Sequence, residues 1–355
     1  HRVICMEMID RFQYGDCLNM MQLPVIPEPG IHGRGLVMVN GDPLEFQAAI
    51  PFITADDYKR GEEIQKACER LNQCWNGKWA RQIPRIPEKP MWQDFAALDE
   101  VQAASKEGSL LPVGYDMETA QIYSIDLARN YCYLISGKGR TGKTNFLKVL
   151  MCSAKMKESK LIVVELSGQE LLKLSKDVGA EHIGSYEEYK KFLQGFVPIF
   201  QERNRLKKQC LGSGMEEQEI YGRMQQETPY FIFIADLTAF ALALHSVQGV
   251  QDNLCGAMAN LFEKGFLHNI YFFACMNQDQ RMDVMGKDVY EKFVRSKAGI
   301  HLGGNVSAQR LFEFNGMPFS EQAAVEKPGV GAIPPTDNEP YHKIMIPLVK
   351  GQQAV

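Results

Sequence analysis

From about Ser109 onward, apolar residues come in short unbroken runs: QIYSIDL, CYLIS, LIVVEL, YFIFIAD, IYFFACM and GIHLG. Each run is strand-length, and amphipathic segments of helical period lie between several of them. Strands that are apolar at nearly every position are buried on both faces. Their alternation with helices predicts a mostly parallel sheet covered on both sides. Ahead of that point the pattern is different. ITADDYKRGEEIQKACERLNQCWN reads as a helix, with Thr54 as N-cap, Asp57 in the first turn, and Ile64, Cys68, Leu71 and Trp75 as one apolar stripe. RQIPRIPEKP follows, where Pro84, Pro87 and Pro90 exclude a continuing helix and favour an extended linker.

The two ends of the chain echo each other. DRFQYGDCLNMMQLPVIPEPG begins at Asp10 and QRLFEFNGMPFSEQAAVEKPG at Gln309. At one constant spacing Arg11 matches Arg310, and Pro29-Gly30 matches Pro328-Gly329. Both segments run on through glycines to an Ile-Pro-apolar ending, AAIPF and IMIPL. Self-similarity of this kind marks an array of modules. The expected organisation is therefore the closing strands of a preceding module over 1–52, a helix and Pro-spaced linker over 53–108, and a whole module over 109–355. A first residue of His rather than Met agrees with a fragment of a longer chain.

Composition narrows the function classes. At 355 residues, 45% hydrophobic and 23% charged, the chain is of ordinary globular make-up. A net charge of −4 provides no basic field for nucleic acid or an anionic membrane. The longest apolar runs are too short to span a bilayer. Nine cysteines, without a CxxC pair, read as reduced thiols in a cytosolic setting, and Cys132, Cys152 and Cys275 as small core residues.

The chemistry enters with ISGKGRTGKTN. It holds Gly137-x-x-x-x-Gly142-Lys143-Thr144, directly after a strand and before the helical TNFLKVLMCSAK. Glycines let such a loop wrap phosphates with its N–H groups turned inward, and the helix N-terminus adds partial positive charge. The expected nucleotide contacts are Gly137, Lys138, Gly139, Arg140, Thr141, Gly142, Lys143, Thr144 and Asn145. Lys143 reaches the β- and γ-phosphates of ATP, and the Thr144 hydroxyl ligates Mg²⁺. Asp236, after the five apolar residues of YFIFIA, is the expected acid on the Mg²⁺ side.

Hydrolytic motors commonly carry a second acid beside that one, to polarise the attacking water; here the position is Leu237. Glu165, ending LIVVE, has two readings: a substitute base lying beside the loop, or an acid that only caps the sheet edge. Asn277 and Gln278 end a strand where a γ-phosphate sensor would sit, although polar residues collect at that edge in any case. The basic run ERNRLKKQ, 202–209, reads as the solvated face of a long helix.

With loop, acid and repeat in place, the sequence resembles the FtsK/SpoIIIE-type ATPases, and among them the EssC/EccC motors of type VII (ESX-type) secretion. SLLPVGYDMETAQIYSIDLARNYCYLISGKGRTGKTN is similar to that family's approach to its phosphate loop. EPGIHGRGLVMVNGDPLEFQAAIPF resembles the closing strands of a module, and RQIPRIPEKP a linker between modules. The resemblance implies a RecA-like P-loop module, the last in a string of three, on the cytoplasmic side of the bacterial membrane and anchored through a missing N-terminal part. It implies rings of like modules, small helical-hairpin secreted proteins recruited by their C-terminal tails, and weak or absent hydrolysis where the catalytic set departs, as at Leu237. An FtsK-type DNA translocase is the alternative, and a scaffold with a vestigial loop the third reading. The charge balance speaks against nucleic acid as a partner.

Overall fold

The computed structural model describes residues 3–10, 12–77, 84–336 and 339–350. Arg11 of the echo and residues 81–83 of the Pro-spaced stretch lie outside them. The chain divides into two compact units, His1–Gln82 and Ile83–Val355.

The first unit contains β1 (Ile4–Cys5), α1 (Phe12–Leu18), β2 (Arg34–Val39), β3 (Asp42–Gln47) and α2 (Asp57–Cys74). Its strands form one antiparallel sheet in the order β1-β2-β3. A small core of Cys5, Tyr14, Leu18 and Leu36 backs it. The helix expected after Ile53 is present, but Asp56 rather than Thr54 caps it. The Asp56 carboxylate accepts the Lys59 N–H at 2.8 Å, while the Thr54 hydroxyl donates to the Asp56 carbonyl. A carboxylate is the better acceptor for the helix's orphan amides. No residue of α2 is buried, and Leu71 in its apolar stripe is 70% exposed.

The second unit begins with α3 (Trp92–Ala96), α4 (Asp99–Lys106), β4 (Leu110–Asp116), β5 (Ile122–Asp126) and β6 (Cys132–Gly137). It continues through α5 (Lys143–Lys155), β7 (Lys160–Val164), α6 (Leu172–Val178), β8 (Glu181–Ile183), α7 (Tyr186–Gly212), α8 (Glu217–Met224) and β9 (Tyr230–Ile234). Then come α9 (Leu237–Leu244), α10 (Val247–Gln251), α11 (Leu254–Lys264), β10 (Ile270–Asn277), α12 (Arg281–Val284), α13 (Asp288–Val294) and β11 (Gly299–Gly304). It closes with α14 (Phe319–Ala323), β12 (Glu326–Ile333) and β13 (His342–Met345).

Ten strands make one sheet in the order β5-β4-β13-β12-β11-β6-β10-β9-β7-β8. From β11 to β8 neighbours run parallel; from β11 back to β5 they run antiparallel. The six apolar runs read from the sequence are β5, β6, β7, β9, β10 and β11. Side chains alternate faces along each strand. Tyr133 and Ile135 of β6 join Trp92, Phe95, Val101, Phe146, Leu150 and Leu174 on one face. Cys132 and Leu134 join Tyr189, Phe196, Phe240, Phe262 and Phe293 on the other. Burial from both sides explains why β6 shows no polar alternation. It also places Cys132, Cys152 and Cys275 in the core as expected.

Parallel strands end on one side of the sheet. The C-terminal ends of β6, β9, β10 and β11 thus share one edge, where α/β sheets bind ligands.

Candidate nucleotide-binding site

β6 ends at Gly137 and α5 starts at Lys143, so the glycine-rich loop spans the gap between the sheet edge and a helix N-terminus. Gly142 is the N-cap of α5 with φ +104°, a left-handed turn that glycine adopts at little cost. A Cβ on Gly137 would meet the Leu302 carbonyl oxygen at 2.5 Å and Thr141 Oγ1 at 2.6 Å, so only glycine lets the loop leave β6 this close to β11. The buried Thr141 donates its hydroxyl to the Lys138 carbonyl at 2.9 Å and closes the loop from within. Lys138, Gly139 and Arg140 stand exposed at its tip. Phe146, Leu147 and Leu150 anchor α5 in the core, holding its N-terminus against the loop.

Lys143 turns back on the loop, donating to the Gly137 carbonyl at 3.1 Å and to that of Lys138. Burial lowers its ammonium pKa, and Cys275, Asp236 and Asp279 act in the opposite direction. Thr144 follows in the first turn of α5 and is half-buried. Asp236 caps α9: its Oδ1 accepts Thr238 N–H at 2.8 Å and Ala239 N–H at 3.1 Å. Both bonds use the same oxygen. The fold thus gathers the loop, Lys143, Thr144 and Asp236 at one edge.

Asn277 lies beside Gly137 in the β10–β6 register, which brings the turn after β10 to the loop. There Asn277 caps the turn by accepting Asp279 N–H at 3.3 Å. Gln278 Oε1 and Thr238 Oγ1 are buried without a hydrogen-bond partner among the described residues. Such orphans are rare in folded proteins and suit a polar ligand. Together with the exposed loop tip and Lys143, they fit a nucleotide and its Mg²⁺. Asp279 was missed in the sequence, where only Asp236, the position after it and Glu165 were weighed as acids.

Leu237 is 0% exposed and packs with Phe240 and Ala241, so the position beside Asp236 belongs to the core. Glu165 directly follows β7, which β10 and β9 separate from β6. It is buried and occupied. Its carboxylate accepts Glu170 N–H at 2.9 Å and Leu171 N–H at 3.2 Å, and pairs with His182 Nε2 at 2.9 Å. The basic run also needs correction. Arg203 is only 5% exposed, and its guanidinium donates to the carbonyls of His268 (2.7 Å), Asn269 (3.0 Å) and Thr228. Lys207 donates to the Phe266 carbonyl at 2.7 Å. Single charges on an otherwise solvated helix face were taken inward because loop carbonyls needed donors.

A second set of contacts has no sequence motif. Gly329 N–H donates to the Thr141 carbonyl at 3.2 Å, and Ile346 N–H to the Gly329 carbonyl at 2.9 Å. Asn145, in the first turn of α5, donates from Nδ2 to the Pro347 carbonyl at 3.0 Å and accepts Val349 N–H on Oδ1 at 3.0 Å. Leu348 between them donates to the Pro90 carbonyl at 2.8 Å and accepts Trp92 N–H at 3.1 Å. The closing segment 346–349 is thus a strap between the loop helix and the chain entering α3. Among the described residues no group of three metal-ligating side chains occurs, and no helix is long and apolar enough to cross a membrane.

No protein-family model matches the chain. Among curated proteins it is similar to the ESX secretion system protein EccC of Geobacillus thermodenitrificans (strain NG80-2), 23% identical over 325 residues. That match covers 90% of this chain and 20% of EccC. The ESX secretion system protein YukB of Bacillus subtilis (strain 168) is 21% identical over 326 residues, with the same coverage. The chain therefore spans about a fifth of the length of these relatives. Among solved structures, EssC (ATPases 2 and 3) of Geobacillus thermodenitrificans superposes with a TM-score of 0.62 at 21% identity, over 96% of this chain and 60% of that one. Thermomonospora curvata EccC (ATPases 2 and 3), solved with a signal sequence peptide, gives 0.55 at 15% identity, over 92% and 54%. The pCW3 conjugation coupling protein TcpA with ATPγS gives 0.55 at 14%, over 81% and 82%. The α/β fold is that of these RecA-like ATPase modules, and the chain's likeness to the EssC/EccC ATPase region holds in both sequence and fold.

Proposed function

We propose that this chain is the terminal nucleotide-binding module of a type VII protein-secretion motor, one that binds Mg·ATP with weak or no hydrolysis and helps recruit small helical-hairpin secreted proteins. One observation carries the reading: a complete phosphate loop, with Lys143, Thr144 and Asp236 at one sheet edge, lies beside a Leu237 packed into the core. Residues 137–145, with Gln278, would hold the nucleotide; Thr144 and Asp236 would hold Mg²⁺, which supplies charge neutralisation between phosphates. Leu237 offers no acid beside Asp236, and the Glu165 carboxylate is engaged by the Glu170 and Leu171 N–H groups and by His182.

The relatives named for ESX secretion support the setting, on the cytoplasmic side of the membrane and within a longer parent chain. The signal sequence peptide in the Thermomonospora curvata neighbour supports recruitment of substrate tails. Neighbouring modules of the parent and ring-forming copies are the other expected partners. Residues 1–52 are read as the closing strands of the preceding module; their antiparallel order β1-β2-β3, like β11-β12-β13, supports this.

Calorimetric titration with Mg·ATP, using Lys143→Ala as control, tests the proposal. Saturable binding that the variant loses, without continuing heat of turnover, is expected. Steady turnover would overturn the weak-hydrolysis part and favour the translocase alternative. Absence of binding would leave a scaffold.

A further inference from the structure

The parallel end of the sheet stops short. β8 pairs with β7 only from Ile162 to Val164, whereas β9 pairs with it from Lys160 onward. Lys160 and Leu161 therefore have a strand on one side and none on the other. Main-chain groups at such an edge are a template for a further strand. Here they line a cleft of about 840 Å³ between the sheet edge and α7. On the helix side Phe192 and Phe196 stack at 5.2 Å, and Phe196 meets Tyr230 edge-on at 5.3 Å. An apolar wall with a polar rim, at this volume, is the make-up of a ligand site.

Gly195 stands on the cleft side of α7, with Lys191 one turn before it and Ile199 one turn after. It is exposed, and a Cβ there would meet nothing within 4 Å, so no contact inside the chain asks for glycine. Glycine in a helix interior is destabilising relative to alanine. Exposed glycines also occur in α2, α8 and α11, at Gly61, Gly222 and Gly256. Gly195 differs in standing across a cleft from an open strand.

We propose that this cleft takes an extended segment of a partner polypeptide, added as a strand beside Lys160 and Leu161 in line with β8. The open edge names the class, because what completes a strand ladder is another main chain. Gly195 lets that chain pass close to α7. Alternate side chains of an added strand point to one face, so apolar ones every second residue meet Phe192 and Phe196. Charged flanks suit the rim, where the exposed Lys160, Lys191 and Glu181 have no ion pair among the described residues. The site is separate from the phosphate loop, since β9 and β10 lie between β7 and β6.

Fluorescence anisotropy on the whole chain tests this. The probes are fluorescein-labelled, end-blocked hexapeptides in which Phe, Leu or Val alternates with Thr, Lys or Glu. Saturable binding is expected. N-methylation of one alternate set of their backbone amides should weaken it about tenfold, equivalent to about 1.4 kcal/mol, and of the other set little. Gly195→Ala should weaken binding by a similar factor while its melting temperature rises, as alanine is the better helix former. A lowered melting temperature in that variant would mark a structural glycine and overturn the inference. So would binding that ignores both N-methylation and Gly195→Ala, or no binding by any of the peptides. Self-association of the wild type that Gly195→Ala abolishes, without peptide binding, would put a second copy in the cleft and overturn the assignment to a partner.

Discussion

Leu237 follows Asp236 into the core: the aspartate caps α9 at the sheet edge, while the next side chain is wholly buried beside Phe240. The missing acid is therefore a change of environment as well as of residue type. Leu237→Glu should not create a hydrolytic site. It should destabilise the fold by about 3 kcal/mol or more, the cost of an unpaired carboxylate in an apolar setting. Denaturant unfolding and a turnover assay on the same sample check both halves, and faster hydrolysis in the variant would refute the argument.

Asn145, which follows Thr144 in the first turn of α5, has both ends of its side-chain amide on the strap. Asn145→Ala should cost about 1–3 kcal/mol for two hydrogen bonds. Hydrogen exchange should quicken at Leu348 and Val349 while β6 remains protected. Uniform protection across the variant would mean the strap is held by its other contacts.

Arg203 supplies donors to three carbonyls in the loops before β9 and β10. Arg203→Leu should destabilise by about 1–3 kcal/mol, because the carbonyl of buried His268 loses its donor, while that of Asn269 keeps the Tyr230 N–H. Arg203→Lys should recover only part, since an ammonium cannot match the planar fork. Urea unfolding midpoints distinguish the two.

Asp116 ties β4 to β13. It accepts N–H bonds from Glu118 and Thr119, the Thr119 hydroxyl, and His342 Nδ1 at 2.8 Å. Burial pushes its carboxyl up, but the Thr119 and His342 contacts together outweigh that and carry it below the usual 3.8. A depressed folded-state value gives stability that is present above 3.8 and lost as pH falls through the lower, folded value. Asp116→Asn should therefore be less stable than wild type at neutral pH, and the gap should close on acidification. Parallel unfolding curves at neutral and acid pH measure it; a constant gap would remove the charge from the explanation.

The parallel half of the sheet was legible because strands buried on both faces must be apolar throughout, as in CYLIS and IYFFACM. Of the antiparallel half the apolar pattern picked out β5 alone beyond β11: β12 runs through Pro328, Gly329 and Gly331, while β8, at the parallel end, has three residues, too few for a pattern. The loop was legible because its glycines answer a local backbone demand. Asp279, Gly329 and the strap arrive from strands distant in sequence, and only strand order brings them together. Arg203 was misread for the same reason: the carbonyls it serves lie in segments far along the chain.

The strap also sets how the module would respond to being pulled. Met91 and Leu348 run parallel, joined at Pro90 and Trp92 by bonds that lie across the strand direction. Tension on the chain at Pro90 would load those bonds in shear and pass through Pro347 and Val349 to Asn145, beside Thr144. A mechanical load on the incoming chain would thus be felt at the phosphate loop before the sheet yields, and filling the loop would in turn stiffen the point where that load enters.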